Sequence, residues 1–308
     1  MKVSVIIPVY NECESIKDLY SQLTKSLKEY TPYEIIFVDD GSSDGSVETI
    51  KKISKIDTSI KLIEFHRNYG KSAALSEGFK NANGNYVVTM DADLQDDPSE
   101  IKNLVNKLEE GFDLVSGWKK DRKDPLSKRL PSKLFNFITR LFTGVHIHDF
   151  NCGLKIYKKA VVKTLELYGG RHRYIPAMAG QKKFKVSEII VNHRPRIYGE
   201  TKYGGSRLLH GFFDLISILF LSKYTQSPMY FFGKIGLITF LTGFGIEIYV
   251  LYLKYNIGDP FSKHLALLML GILIIVIGIQ FFSIGLVGEM IANSNQDKES
   301  RVKDFYKT

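Results

Sequence analysis

Tyr86-Val87-Val88-Thr89-Met90-Asp91-Ala92-Asp93-Leu94-Gln95-Asp96-Asp97-Pro98 passes from five residues of strand character straight into a turn rich in carboxylates. Side chains at i and i+2 of an extended segment share a side, so Asp91 and Asp93 point the same way. Two such carboxylates can hold a hard divalent cation whose remaining positions go to water and phosphate oxygens, a pattern suited to Mg²⁺ or Mn²⁺. An isolated Asp-x-Asp is most often a solvated turn; one that ends a buried strand carries more. Working outward, Val3–Pro8, Ile35–Val38 and Ile60–Phe65 have the same buried-strand character. Helical patterns separate them at about Ser15 to Glu29, Ser46 to Ser54 and Ser72 to Ala82. That alternation predicts an α/β fold with a mainly parallel sheet covered on both faces. Each strand runs into a polar cluster: Tyr10-Asn11-Glu12, Asp39-Asp40-Gly41, His66-Arg67-Asn68 and Asp91-Ala92-Asp93. Ligands of such sheets bind at the carboxyl ends of the strands, so the four clusters should converge on one crevice.

The chain has 308 residues, enough for one large domain and a smaller addition. With 12% aromatic residues it is neither disordered nor collagen-like. A mean hydropathy of −0.08 averages two populations, since nearly all long apolar runs lie after residue 206. Net charge is +9, unevenly spread: Lys119 to Arg207 holds 21 Lys+Arg against 6 Asp+Glu, a local +15 that leaves −6 for the rest. Nucleic acid, an anionic membrane surface and a phosphorylated substrate all suit such a stretch. Its adjacency to apolar segments, with no recognition motif, sets nucleic acid aside. Cys13 and Cys152 lack metal spacing and read as reduced thiols. The apolar run before Pro8 is too short for a signal peptide, so the large domain is expected to stay in the cytosol.

Two loops invite other readings and exclude them. An EF-hand starting at Asp40 would place Gly45 correctly at position 6, but its twelfth residue is Lys51 where a bidentate Glu is required. Asp39 instead reads as a strand-end carboxylate for a base or ribose, ahead of a Gly/Ser turn that caps a helix. A turn and cap alone remains open for Ser42 to Gly45. Gly70-Lys71-Ser72 resembles the end of a P-loop, yet the position that requires the first Gly is Phe65. Lys71 at a helix start can still reach a diphosphate. No G-x-G-x-x-G follows the first strand, which argues against a dinucleotide redox cofactor.

Arg207 to Lys223 places Arg207, His210, Asp214 and Ser217 on one helical face amid Leu, Ile and Phe, as in a helix lying in a membrane interface; a core helix packed on the sheet is the alternative. Tyr230 to Leu253 and Leu265 to Gly288 are each long enough to cross about 30 Å of hydrocarbon. Lys254 to His264, with Gly258-Asp259-Pro260, forms the hairpin connector. Two crossings return the tail, with Lys298, Arg301, Lys303 and Lys307, to the side of the large domain, consistent with the positive-inside tendency. Glu247 is costly against lipid, and snorkelling to the outer surface is preferred over an oligomer contact. Gly271, Gly278 and Gly285 recur every seven residues, a stripe able to pack against other subunits in a homo-oligomer.

Taken together, Ile7-Pro8-Val9-Tyr10-Asn11-Glu12, Val38-Asp39-Asp40-Gly41-Ser42, Arg67-Asn68-Tyr69-Gly70-Lys71, the Asp91–Pro98 segment, His172-Arg173-Tyr174-Ile175-Pro176 and Gly199-Glu200-Thr201-Lys202-Tyr203 resemble, in order, the motifs of the inverting family 2 glycosyltransferases. The likeness is to their polyprenyl-phosphate branch, related to dolichol-phosphate mannose synthase and the bacterial undecaprenyl-phosphate glucosyltransferases. It runs from residue 3 to about 230, and the hairpin with Gly285-Leu286-Val287-Gly288-Glu289 is similar to the bacterial members. The resemblance implies a cytosolic GT-A domain over 1–206, an interfacial helix and linker over 207–229, two transmembrane helices over 230–288 and a cytosolic tail over 289–308. It implies a protein of the bacterial inner membrane that moves one sugar from a UDP- or GDP-sugar to undecaprenyl or dolichyl phosphate. Carried over by position, Pro8, Tyr10, Glu12, Asp39, Asp40 and Lys71 resemble the nucleotide-sugar pocket. Asp91, Asp93 and Gln95 resemble the metal and diphosphate set, for Mg²⁺ or Mn²⁺. Asp149 falls where the family places an acidic residue near the acceptor, with a turn cap as the alternative. Arg122, Arg129, Arg194, Arg196 and Lys202 are candidates for the lipid phosphate.

The resemblance leaves rivals. A processive polysaccharide synthase would carry Gln-x-x-Arg-Trp, whereas the one tryptophan is Trp118, in Ser116-Gly117-Trp118-Lys119. An anchored transferase with a soluble glycan or protein acceptor is disfavoured by the basic stretch beside the interfacial helix. A silent membrane binding module is disfavoured by intact Asp91, Asp93 and Gln95, since clustered carboxylates repel without a cation.

Overall fold

The computed structural model describes residues 3–120, 132, 136–141, 143–195 and 227–294. Those residues fall in two compact units, one on either side of the boundary between Leu219 and Phe220. The segment read as an interfacial helix, the basic tail, and Arg122, Arg129, Arg196 and Lys202 lie outside the described residues.

The first unit is built on a seven-stranded sheet. Its strands are β1 (Val3–Val9), β2 (Tyr33–Asp39), β3 (Ile60–Glu64), β4 (Tyr86–Thr89), β5 (Leu114–Trp118), β6 (Lys155–Lys158) and β7 (Val186–Ile190), in the order β3-β2-β1-β4-β6-β5-β7. β1 pairs in parallel with β2 and β4, and β2 with β3. β6 runs antiparallel to both β4 and β5, while β7 pairs in parallel with β5. The sheet is thus mainly parallel with one reversed strand, and strand reversal leaves β5 ending on the same edge as β1, β2 and β4. The helices are α1 (Cys13–Leu27), α2 (Ser46–Ser54), α3 (Lys71–Asn81), α4 (Ile101–Glu109), a single turn α5 (Lys159–Val162) and α6 (Ile175–Gln181).

Alternation along the strands feeds two cores. Val3, Val5 and Ile7 of β1 join Phe37, Val88 and Ile156 on one face and pack with Leu19 and Leu23 of α1, Ile50 of α2 and Leu104 of α4. Ile6, Ile36, Val87 and Tyr157 point to the other face, against Leu75 and Phe79 of α3 and Ile175 of α6. A side chain of this size removed wholly from water contributes roughly 1.5–3 kcal/mol, so coverage of both faces is what makes the strands uniformly apolar. Gly78 is required in α3 because a Cβ there would run into the Ile6 side chain.

The second unit is a helical hairpin: α7 (Met229–Tyr252), a π-helical turn (Leu253–Ile257) stopped by Gly258 at φ +83°, a 3₁₀ turn (Phe261–His264), and α8 (Leu265–Ser294). Both helices are long and apolar enough to cross a membrane, and only 17% and 11% of their most apolar stretches are buried. A soluble core helix would be mostly buried, so these faces suit lipid. The glycine stripe is used inside the chain. Cβ atoms at Gly243 and Gly278 would lie 2.8 Å from the Gly271 carbonyl and 2.7 Å from the Phe240 amide, and Gly285 meets Met229 and Phe232. Gly271, Gly278 and Gly285 therefore face α7, because only glycine lets the two backbones approach so closely. Glu247 departs from the snorkelling expectation: its carboxyl sits against Gly271, where a Cβ would collide with it, and its Oε1 is buried. Glu289 folds back to accept the Met229 amide at 3.2 Å, capping the start of α7.

Candidate active site

The loops after β1 and β2 are knitted into one wall. Asn11, at φ +53°, accepts the Ser43 amide on Oδ1 (2.8 Å) while its own amide donates to Ser42 Oγ (2.9 Å). The Glu12 amide donates to Ser46 Oγ (3.1 Å) and the Cys13 amide to Asp44 (2.9 Å), so the segment that leads into α2 satisfies open amides at the start of α1. Gly41 carries φ +77°, and a Cβ there would lie 2.6 Å from the Arg67 carbonyl carbon, which brings the loop after β3 against the loop after β2.

Within this wall the two adjacent aspartates do different things. Asp40 is buried and accepts the amides of Tyr69 (2.7 Å) and Gly70 (2.9 Å). Burial, only partly offset by those amides, pushes its carboxyl above the usual range. Asp40, expected from sequence in the nucleotide-sugar pocket, shapes the loop that presents Lys71. Asp39 accepts Gly41 and Ser42 amides on Oδ2 (3.1 and 2.9 Å), while its Oδ1 is buried and has no hydrogen-bond partner. A buried bare carboxylate oxygen costs stability unless something donates to it. Pro8 lies in β1 beside Val38, and Tyr10 is 38% exposed at the strand's end.

After β4 the chain turns sharply through Leu94, a buried non-glycine residue at φ +61°; such conformations cost of order 1–3 kcal/mol and gather at functional sites. Asp93 Oδ1 accepts the Gln95 amide at 3.2 Å, and the Gln95 carbonyl accepts the Arg194 amide at 3.0 Å. Asp91 pairs with Lys71. Burial alone would raise the Asp91 carboxyl, but Lys71 and Lys119 outweigh it and hold it below the usual range. Asp93 goes the other way: burial, reinforced by Asp91 and Asp96, pushes it up. Two carboxylates that repel in this way fit a divalent cation. Among the described residues no set of three acidic, His or Cys side chains is placed to hold a metal ion by itself.

Several residues that shape this floor carry no motif. Gly153 lies directly beneath Asp91: a Cβ would sit 2.6–2.8 Å from the carboxylate. Lys119 pairs with buried Asp96 at 2.8 Å, and Lys155 donates to the Cys152 carbonyl. Burial lowers Lys155 and raises the Cys152 thiol to about 12, so Cys152 is inert packing. His172 is held against α3, with its amide 3.1 Å and its Nδ1 3.0 Å from Ser72 Oγ. Burial and the cations Lys71 and Arg173 hold it well below the usual imidazole range.

Asp149 is buried and accepts the Asn151 amide at 3.0 Å, so the turn-cap geometry is present. Its backbone is clamped on every side. The Asp149 carbonyl takes Ser116 Oγ (3.3 Å), the Phe150 amide donates to Asn136 (3.4 Å), and the His148 amide donates to Glu188 (2.6 Å). Glu188 also bonds His148 Nδ1, and the His148 ring stacks on Trp118 at 4.1 Å. Arg194, a candidate for the lipid phosphate, is engaged within the chain. It pairs with Asp97 at 2.5 Å and donates to Gln22 at 2.7 Å, tying the chain after β7 to α1 and to the cap of the 3₁₀ turn Pro98–Glu100 that precedes α4.

Residues 4–166, which hold all of these strand-end clusters except the His172 and Arg194 segments, match the family model described as Glycosyl transferase family 2. The chain belongs to that family. As a family 2 glycosyltransferase it is 34% identical over 300 residues to the dodecaprenyl-phosphate galacturonate synthase of Rhizobium johnstonii, covering 96% of this chain and 88% of that one. It is 34% identical over 306 residues to the undecaprenyl-phosphate 4-deoxy-4-formamido-L-arabinose transferase of Salmonella choleraesuis, covering 99% and 92%. Among solved structures it is similar to glucosyl-3-phosphoglycerate synthase of Mycobacterium tuberculosis, crystallised with Mn²⁺, UDP-glucose and phosphoglyceric acid. The TM-score is 0.57 at 18% identity, covering 71% of this chain and 79% of that one. That likeness establishes the GT-A fold of the glycosyltransferase.

Proposed function

We propose that this glycosyltransferase moves a single sugar, with inversion, from a nucleotide sugar to a polyprenyl phosphate at the cytosolic face of a bacterial inner membrane. The observation that carries the reading is the extent of the likeness to the two polyprenyl-phosphate enzymes. It spans 96–99% of the chain and therefore includes the hairpin as well as the sheet. The domain plan follows: a cytosolic catalytic unit over 1–206, a linker over 207–229, a membrane hairpin over 230–288 and a cytosolic tail.

In this reading the nucleotide lies over the wall built by the loops after β1 and β2, beside Pro8, Tyr10 and Glu12, with its base at Asp39. One Asp39 oxygen is already used by two amides and one is bare, so the bare oxygen alone is open to the base and a fork with one donor on each oxygen is blocked. Uracil offers a single ring N–H; guanine offers an adjacent pair. The geometry therefore favours UDP over GDP. Asp91 and Asp93, with Gln95, would hold Mg²⁺ or Mn²⁺, which would supply neutralisation of the charge developing on the departing diphosphate. Lys71, now paired with Asp91, stands beside the same diphosphate. The bond that forms joins an acceptor phosphate oxygen to the anomeric carbon, and the bond that breaks joins that carbon to the diphosphate oxygen, which leaves with the electron pair. A phosphate is already ionised near neutrality, so Asp149 orients the acceptor instead of removing a proton, and proximity supplies much of the rate.

The test incubates purified protein with Mg²⁺ or Mn²⁺, undecaprenyl phosphate and a panel of radiolabelled UDP- and GDP-sugars, and counts label in the organic phase. Label from one UDP-sugar, abolished by EDTA and by Asp93→Ala, is expected. No organic-phase label, with nucleotide released on adding a soluble glycan or protein, would move the assignment to an anchored transferase. Full turnover by Asp93→Ala with excess Mg²⁺ would refute the cation site.

A further inference from the structure

We infer that His172 and Arg173 form a second phosphate-gripping wall of the active site, beside Ser72 and Lys71 at the start of α3. The inference rests on the transferase reading above and adds two residues to it. Three observations converge. Ser72 Oγ accepts the His172 amide, and among the described residues the acceptor available to its own hydroxyl proton is His172 Nδ1. The assignment that uses each donor once leaves Nδ1 as an acceptor and puts the imidazole proton on Nε2, so a neutral ring keeps one N–H to offer. Arg173, the next residue, is half-buried, has no ion pair among the described residues, and its Nε is buried without a hydrogen-bond partner. A guanidinium N–H left bare in this way is costly unless a ligand completes it, and its planar fork matches phosphate oxygens.

The third observation is the charge around the pair. Arg173, Lys71 and Lys155 lie close enough to act on the His172 ring, and Asp91 is the one carboxylate among its principal electrostatic neighbours. Asp91 is already committed to Lys71. Two cations are therefore left over, Lys155, which donates to the Cys152 carbonyl, and Arg173. The neighbouring Arg171, by contrast, is buried and stacked over Tyr168 at 3.5 Å, which anchors the turn and holds residues 172 and 173 in place. Arg173 thus has the property that Arg194 lacks: its charge is uncommitted. The ligand is a phosphate group, either the diphosphate of the donor or the phosphate monoester of the acceptor.

Full-length enzyme in detergent distinguishes the sources. UDP and uridine binding are measured by calorimetry with Mg²⁺, and the acceptor KM by organic-phase transfer to undecaprenyl phosphate, for wild type, R173A, H172Q and H172A. If the wall holds the donor, R173A weakens UDP binding tenfold or more while uridine binding is unchanged. If it holds the acceptor, R173A raises the acceptor KM tenfold or more with UDP binding unchanged. H172Q, whose amide NH₂ stands near the Nε2–H position, retains at least a third of wild-type kcat/KM, whereas H172A loses it; a merely structural role would not rank the two in that order. Folded R173A and H172A proteins with UDP affinity and acceptor KM both within twofold of wild type would overturn the inference. Failure of wild type to label the lipid, with UDP binding still weakened by R173A, would overturn the acceptor assignment of the enzyme and leave the phosphate wall standing.

Discussion

Gly153 sets the position of Asp91. With no room for a methyl group beneath the carboxylate, Gly153→Ala must push Asp91 upward or rotate it off Lys71. Misplacement of a reacting group by about 1 Å costs on the order of a hundredfold in rate. We expect Gly153→Ala to lower kcat by about that factor while the melting temperature falls by no more than a few degrees; kcat within threefold of wild type would show that Asp91 tolerates the shift. Asp91 and Asp93 were legible in sequence because their spacing at a strand end encodes their direction. Gly153 was not, since its meaning arises only when the turn before β6 is laid against the end of β4, 62 residues away. Lys119 and Lys155 were hidden for a different reason. Inside a run of surface-like cations nothing local marks the two that fold inward to offset Asp96 and approach Asp91. Asp40 and Arg194 stand out in sequence by chemical type and segment, whereas their bonds to Gly70 and Asp97 arise only in the fold.

Two cross-element struts hold the frame on which those residues sit. Glu188 on β7 clasps both the amide and the ring of His148, the residue before Asp149. Removing it frees one of three anchors on the Asp149 backbone. Glu188→Ala is expected to lower kcat about tenfold, the equivalent of roughly 1.4 kcal/mol, with nucleotide affinity unchanged; a loss confined to nucleotide affinity would break the link to Asp149. On the other side of the sheet, Glu34 of β2 accepts Ser4 Oγ (2.5 Å), the Asn83 amide (2.6 Å) and Lys61 (2.7 Å), joining β1, β3 and the turn before β4. Burial would raise its carboxyl, but those donors win and bring it to about 2. A depressed carboxyl contributes stability that is complete above its unfolded value near 4.5 and is lost as pH falls toward 2, roughly 3 kcal/mol in all. The stability gap between wild type and Glu34→Gln should therefore shrink from pH 5 to pH 2.5 in denaturant titrations, and a constant gap would show that the strut is not titrating. The mainly parallel sheet covered on both faces was readable because apolar runs and helix periods alternate. The reversal of β6 was not, because a four-residue strand carries no signal for its direction.

At the scale of the whole molecule, two units fold against different solvents, and each has its own packing rule. The sheet unit excludes water with branched side chains on both faces. The hairpin cannot draw on that driving force within lipid, so its cohesion comes from backbone approach at Gly236, Gly243, Gly271 and Gly278. The sequence showed the seven-residue stripe but not its partner, since a stripe that faces another subunit and one that faces the next helix look alike until the turn at Gly258 is in place. Gly278→Leu tests the assignment. Its side chain would have to enter space held by the Phe240 amide (2.7 Å from a Cβ) and the Gly236 carbonyl (2.9 Å), both backbone atoms with nowhere to move. The helices must separate, while the nucleotide wall, built wholly from residues of the sheet unit, is untouched. We expect Gly278→Leu to lower the thermal stability of the detergent-purified protein and to cut transfer to undecaprenyl phosphate at least tenfold, with UDP affinity within twofold of wild type. Wild-type transfer and stability would mean that the stripe does not pack as described. A parallel loss of UDP affinity would mean that the two units do not fold independently.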